Sequence, residues 1–99
     1  MSSYKECIET INAHMHKYPN TKNSDWYVGI AADARARLFN DHSVDEKADV
    51  WVYVKADSST VARDVEKAYH DSGHDGGPGG GDNTTVWVYA YVKSSRTSE

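Results

Sequence analysis

The side chains best able to do chemistry gather between Trp26 and His42, where Tyr27, Gly29, Arg35, Arg37 and His42 share one strand-to-helix segment. Tyrosine and histidine can donate or accept a proton, and arginine brings a permanent cation with a planar fork of donors. Glu66 lies further along, on the same helical stripe as Ala62 and Tyr69, so its carboxylate is predicted to turn toward the core side. Each residue also has a plainer role open to it. Gly29 can let strand and helix pack closely, Arg35 and Arg37 can pair in solvent with Asp33 and Asp41 for about 0.3–0.5 kcal/mol, and Glu66 can pair with Arg63, Lys67 or a Tyr hydroxyl. Other clusters are weaker. His14 and His16 are two apart, so on a helix they do not face each other and are predicted to be solvated. His70 and His74 have a spacing that can clamp a metal, but Gly73 between them should end the helix. Residues 73–82 hold every glycine except Gly29, yet they neither follow a strand nor open a helix, unlike phosphate-cradling loops. This stretch reads as a linker using positive φ angles, although His74, Asp75 and Asp82 could hold a cation or close over a site.

Positioning these groups requires alternating helices and strands. Ser3-Tyr4-Lys5-Glu6 is a capping box, and Tyr4, Cys7, Ile8, Ile11, Met15 and Tyr18 form one apolar stripe, predicting a helix over 3–18 closed by Pro19-Asn20. The stripe makes Cys7 a core residue rather than a nucleophile. A polar turn leads to a strand at 26–31, and Asp33 is placed to cap a helix over 33–41. An acidic loop precedes a strand at 50–56. Asp57, Ser58 and Ser59 open a helix over 58–70, the glycine loop spans 73–83, a strand occupies 85–93, and the tail 94–99 is expected to be disordered. Val-Trp-Val-Tyr occurs at 50–53 and again at 86–89, too short to prove a repeat but enough to fix faces. Val50, Val52, Val54, Val86, Val88, Ala90 and Val92 point one way, and Trp51, Tyr53, Trp87, Tyr89 and Tyr91 the other. The expected fold is a single α+β domain over 1–99, a small three-stranded sheet packed with three helices in the order α-β-α-β-α-β. Aromatics left uncovered would offer a platform on which bases stack.

Composition sets the bounds. A chain of 99 residues builds one core. A net charge of −4, with 11 basic and 15 acidic residues, gives no bulk attraction to nucleic acid or anionic membranes, so any phosphate contact must come from a local cluster. One cysteine permits no internal disulfide, and no apolar run approaches the roughly 20 residues of a membrane span. With no signal peptide recognisable, a soluble, reducing, cytoplasmic setting is expected. Three Trp and seven Tyr against one Phe suit half-buried sites or binding surfaces.

Tyr27-Val28-Gly29, a short polar connection, and a helix with Arg37 eight residues past the glycine together resemble the second half of the GIY-YIG nuclease motif. Leu38 fits the position after the arginine. His42 resembles the family's downstream histidine, one residue further along than in many members. A strand at 50–55 and then a helix bearing Glu66 follow in family order, so the resemblance covers roughly residues 26–70. It implies a metal-dependent endonuclease or nucleic-acid-processing domain, active or degenerate, acting on DNA or RNA. Tyr27, Arg37, His42 and Glu66 would be catalytic, and Glu66 would bind Mg2+. Gly29, Arg35, Tyr89 and Tyr91 would contact substrate. In such chemistry arginine stabilises charge on the phosphate and a Tyr or His handles the proton of the attacking water. The family's first strand has no counterpart before Tyr27. A permuted arrangement would let the C-terminal strand take its place, with Tyr89 or Tyr91 supplying the missing tyrosine. That requires residues 86–92 to pair beside 26–31. The family's late asparagine is unassigned, since Asn83 lacks a helical context. The alternative reading is a non-catalytic module that binds protein or single-stranded nucleic acid on an aromatic sheet face.

Overall fold

A computed structural model describes residues 1–77 and 83–98. Helix α1 runs over Tyr4–Met15. The Glu6 N–H donates to Ser3 Oγ at 3.2 Å, while the Ser3 N–H donates to Glu6 Oε1 at 2.9 Å, which closes the capping box. The helix stops short of residue 18 because Lys17 and Tyr18 bond back to the carbonyls of His14 and Met15, tightening the chain into a turn before Pro19. Strand β1, Trp26–Ala31, is buried throughout. Asp33 accepts from the Ala36 N–H at 3.1 Å and caps α2, Ala34–Ala36. The helix expected over 33–41 does not continue as an α-helix: Arg37–Asp41 forms a π turn. Strand β2 is Trp51–Lys55, α3 is Ser59–Asp71 with Ser58 as its cap, and β3 is Trp87–Val92.

Strand β3 lies in the middle of the sheet and pairs antiparallel with both neighbours, in the order β1-β3-β2. The register sets Tyr27 opposite Tyr91 and Gly29 opposite Tyr89. Alternation along the strands creates two cores. On one face Val28, Ile30, Val52, Val88 and Ala90 pack with Cys7 and Ile11 of α1 and with Ala62, Val65 and Tyr69 of α3. On the other, Tyr27, Ala31, Tyr89 and Tyr91 pack with Ala34, Leu38 and Val44. The chain is therefore a small α+β fold, with α1 and α3 on the valine face and α2 with its π turn on the aromatic face. Among the described residues no helix is long and apolar enough to cross a membrane, and Cys7 is a free, buried thiol.

Several expectations are corrected. Residues 94–98 are not a disordered tail. Ser94–Thr97 closes a turn, Arg96 pairs with Asp49, and the Ser98 N–H donates to the His42 carbonyl at 2.7 Å. His14 is half-buried rather than solvated, packed against the rings of Tyr18 and Trp26, and burial lowers its pKa. Tyr4, placed on the packing stripe, is exposed. Of the aromatic face, Tyr89 and Tyr91 are covered, which leaves Trp51, Tyr53 and Trp87 half-buried at its margin. Asp75 bridges to β1 and pairs with Lys93 at 2.9 Å. His70 and His74 each spend a ring nitrogen on a backbone carbonyl, those of Val28 and Tyr69. Residues 78–82 of the glycine segment, Asp82 included, and Glu99 lie outside the described residues.

Candidate active site

A cleft of about 420 Å³ opens at the outer edge of β1. Tyr27 and Gly29 line it from β1, Arg37 from the π turn, Glu66 from α3 and Tyr89 from β3, and Asp33, Gly77 and Thr85 complete its rim. The first part of that edge is already used. The Val28 N–H donates to the Asp75 carbonyl and the Val28 carbonyl accepts from His70 Nε2, both at 2.9 Å. Because outward and inward peptide groups alternate along an edge strand, the N–H and C=O of Ile30 turn outward at the cleft.

Gly29 is there for close approach. A Cβ on it would lie 2.5 Å from the Tyr89 hydroxyl and 2.6 Å from its ring, so only glycine lets that ring cross β1. Tyr89 is 1% exposed, and burial pushes its phenol up to about 12, opposed by the neighbouring Arg37 guanidinium. Arg37 is held by the Tyr89 hydroxyl and by Asp41 at 3.8 Å, and its pKa is raised mainly by the tyrosine. Tyr27 bonds the Gly77 backbone through its hydroxyl, and burial raises its pKa too. Glu66 is 8% exposed. Burial raises its pKa, and His70 and Arg63 only partly offset this. An acid kept so dry beside an open cleft is a candidate for function.

His42 stands behind this wall. It is 5% exposed, with Nδ1 2.7 Å from the Ser98 carbonyl and Nε2 2.7 Å from the Tyr89 hydroxyl. A carbonyl can only accept, so Nδ1 carries the proton. In the neutral ring Nε2 is then the acceptor, and Tyr89 donates to it while turning a lone pair toward Arg37. The Tyr27 ring closes over the same imidazole, with centroids 4.8 Å apart. Tyr91 completes the nest, with its hydroxyl 3.1 Å from Nδ1.

The structure thus brings Tyr27, Gly29, Arg37, Glu66 and Tyr89 to one cleft, and it does not bring the other three expected residues there. His42 and Tyr91 do not line the cleft: both pack against the Tyr27 ring, with His42 hydrogen-bonded to the Tyr89 hydroxyl. Arg35 points to the neighbouring margin, where it pairs with Glu46 at 2.9 Å. Sequence reasoning missed Asp33 as a cleft residue, having read it as a helix cap and as a solvent partner for the neighbouring arginines. Thr85 and Gly77 carried no local signal, since both are placed by the return of the chain from α3 to β3. Comparison with protein families, curated proteins and solved structures finds nothing that matches this chain.

Proposed function

We propose that this chain is a GIY-YIG-like, metal-dependent phosphodiesterase that cuts DNA or RNA in the cytoplasm, with β3 standing where the family has its first strand. The observation that carries this reading is the convergence of Tyr27, Arg37 and Glu66, from three different elements, on one cleft. The pairing of β3 beside β1, with Tyr89 across from Gly29, supplies the strand and the tyrosine that the permuted arrangement requires.

A phosphodiester in the cleft would meet the Arg37 guanidinium and the outward N–H of Ile30, donors suited to charge that builds on its oxygens. Tyr89 is protonated at neutral pH, with its proton aimed at His42 Nε2. It can therefore take a proton from an attacking water at its oxygen while passing its own to His42, and the imidazolium so formed is held by the Ser98 carbonyl. His42 is a positioning and proton-accepting residue behind Tyr89. Among the described residues no three metal-ligating side chains cluster. Mg2+ is often held by one or two carboxylates, with waters and substrate phosphate oxygens as its other ligands. The dry Glu66 carboxylate, with Asp33 on the same cleft, fits that donor set. When bound, the ion would neutralise charge on the leaving oxygen.

The test is nicking of supercoiled plasmid and of a structured RNA with Mg2+ or Mn2+. Metal-dependent cleavage that is lost in both Arg37→Ala and Glu66→Ala is expected. No cleavage by the wild type, or cleavage unchanged in both variants, would overturn the proposal.

A further inference from the structure

Beside the cleft lies a second hollow of about 200 Å³, walled by Ala32, Asp33, Ala34, Arg35, Tyr53 and Trp87. It shares Ala32 and Asp33 with the cleft, so the two are adjacent. Its construction differs from that of a packed core. Tyr53 and Trp87 meet edge to face, with centroids 5.4 Å apart and planes at 86°, and both are only half-buried. The two alanines opposite take up little space. Two cations stand near it: Lys55 lies 5.8 Å from the Trp87 ring, and Arg35, paired with Glu46 at 2.9 Å, also reaches the Tyr53 hydroxyl at 3.5 Å. Asp33, bound to its own helix through Oδ1, brings a carboxylate to the lining.

Resting on the reading of the cleft as a phosphodiester site, we infer that this hollow holds one unpaired nucleobase next to the scissile phosphate, so that the substrate is single-stranded at that position. A planar ring between small side chains and an indole is held by stacking. The nearby cations suit the phosphates beside it, and Asp33 can accept from a base N–H. A base inside a duplex is stacked on its neighbours and cannot present its face to Trp87. With a net charge of −4, attraction to a polyanion has to come from such local groups, Lys55 and Arg37 foremost.

Fluorescence anisotropy in EDTA tests this, using labelled ten-nucleotide single strands of DNA and of RNA and the matching DNA duplex. Single strands are expected to bind more tightly than the duplex. Trp87→Ala should weaken single-strand binding about tenfold, Trp87→Phe should keep most of it, and Tyr53→Ala, as an independent lesion, should weaken it as well. The DNA and RNA arms identify which backbone the site prefers. Wild-type affinity in both alanine variants, with melting curves showing that they are folded, overturns the inference, as does a duplex that binds as tightly as the single strand. Nicking of plasmid and of the same single strands with Mg2+, assayed in parallel, separates the two claims. Nicking without any dependence of binding on Trp87 rejects the base slot alone, and Trp87-dependent binding without nicking rejects hydrolysis alone.

Discussion

Glu66→Gln separates a functional carboxylate from a structural one, because the two roles give stability changes of opposite sign. Burial penalises the Glu66 anion, so its pKa is raised in the folded chain. A raised folded value means that the native state binds the proton more tightly. The stability gained from that is fully present below the unfolded value, about 4.3 for glutamate, and is lost as pH rises through the folded one. At pH 7 the folded wild type therefore carries a buried anion whose lost hydration His70 and Arg63 only partly offset. Glutamine keeps the shape and drops the charge. The gain at pH 7 should be about 1 kcal/mol, within the roughly 0.5–2 kcal/mol of common single stabilising substitutions, and for a domain of this size it corresponds to a rise of about 4–8 °C in Tm. Below about pH 4 both side chains are neutral and the two melting curves should converge. Added Mg2+ should raise the Tm of the wild type, since a ligand that binds only the folded state stabilises it, and should leave the variant unmoved. The assay is thermal unfolding by circular dichroism at pH 4 and pH 7, with and without Mg2+. A variant less stable than wild type at pH 7 would refute the reasoning, because Glu66 would then be a structural partner; so would an equal Tm difference at both pH values.

Gly29→Ala forces the buried Tyr89 ring to move from a methyl 2.5 Å from its hydroxyl. The expected cost is about 1–3 kcal/mol, read as a lowered Tm, together with loss of cleavage. Arg37→Lys keeps the charge but loses the fork. Cleavage should fall about 10²–10³-fold with stability changed by no more than about 0.5 kcal/mol, because the partly exposed Arg37–Asp41 pair contributes little; a Tm drop that matches the lost activity would contradict this. Ending the chain after Thr97 removes the carbonyl that fixes the His42 tautomer and the N–H that binds the His42 carbonyl. It should cost about 1–3 kcal/mol in urea unfolding and shift the pH profile of cleavage, whereas an unaltered profile would exclude His42 from the proton path.

What the sequence discloses about this fold is what local rules determine. The valine and aromatic faces follow from a period of two along each strand, and both cores assemble on them as that alternation requires. The capping box at Ser3 and the Asp33 and Ser58 caps involve partners three residues away, so they can be read from the chain directly. The tail could not be read this way. Its polar residues look disordered, and its order comes from His42, which bonds Ser98 across 56 positions of sequence. Asp33 is a similar case, since its cap is local but its place on a cleft depends on where β1 ends and β3 returns.

The π turn shows most clearly how local and non-local causes combine in the candidate site. Arg37 and His42 are five positions apart, and in an α-helix, turning about 100° per residue, the two side chains would diverge by about 140°. The structure instead has the His42 N–H bonding the Arg37 carbonyl at 2.8 Å, so one wide turn brings both to the same side. No residue between Ala36 and Asp41 announces that geometry. What holds it is Leu38, buried in the aromatic core, whose carbonyl accepts the Val44 N–H at 2.9 Å. With the turn in place, Arg37 meets the oxygen of Tyr89 from the cleft while His42 accepts its proton from behind. The π turn thereby takes up the spacing that a regular α-helical turn would splay. A spacing that looks like a departure along the sequence becomes, in space, the condition for one tyrosine to be held between an arginine and a histidine.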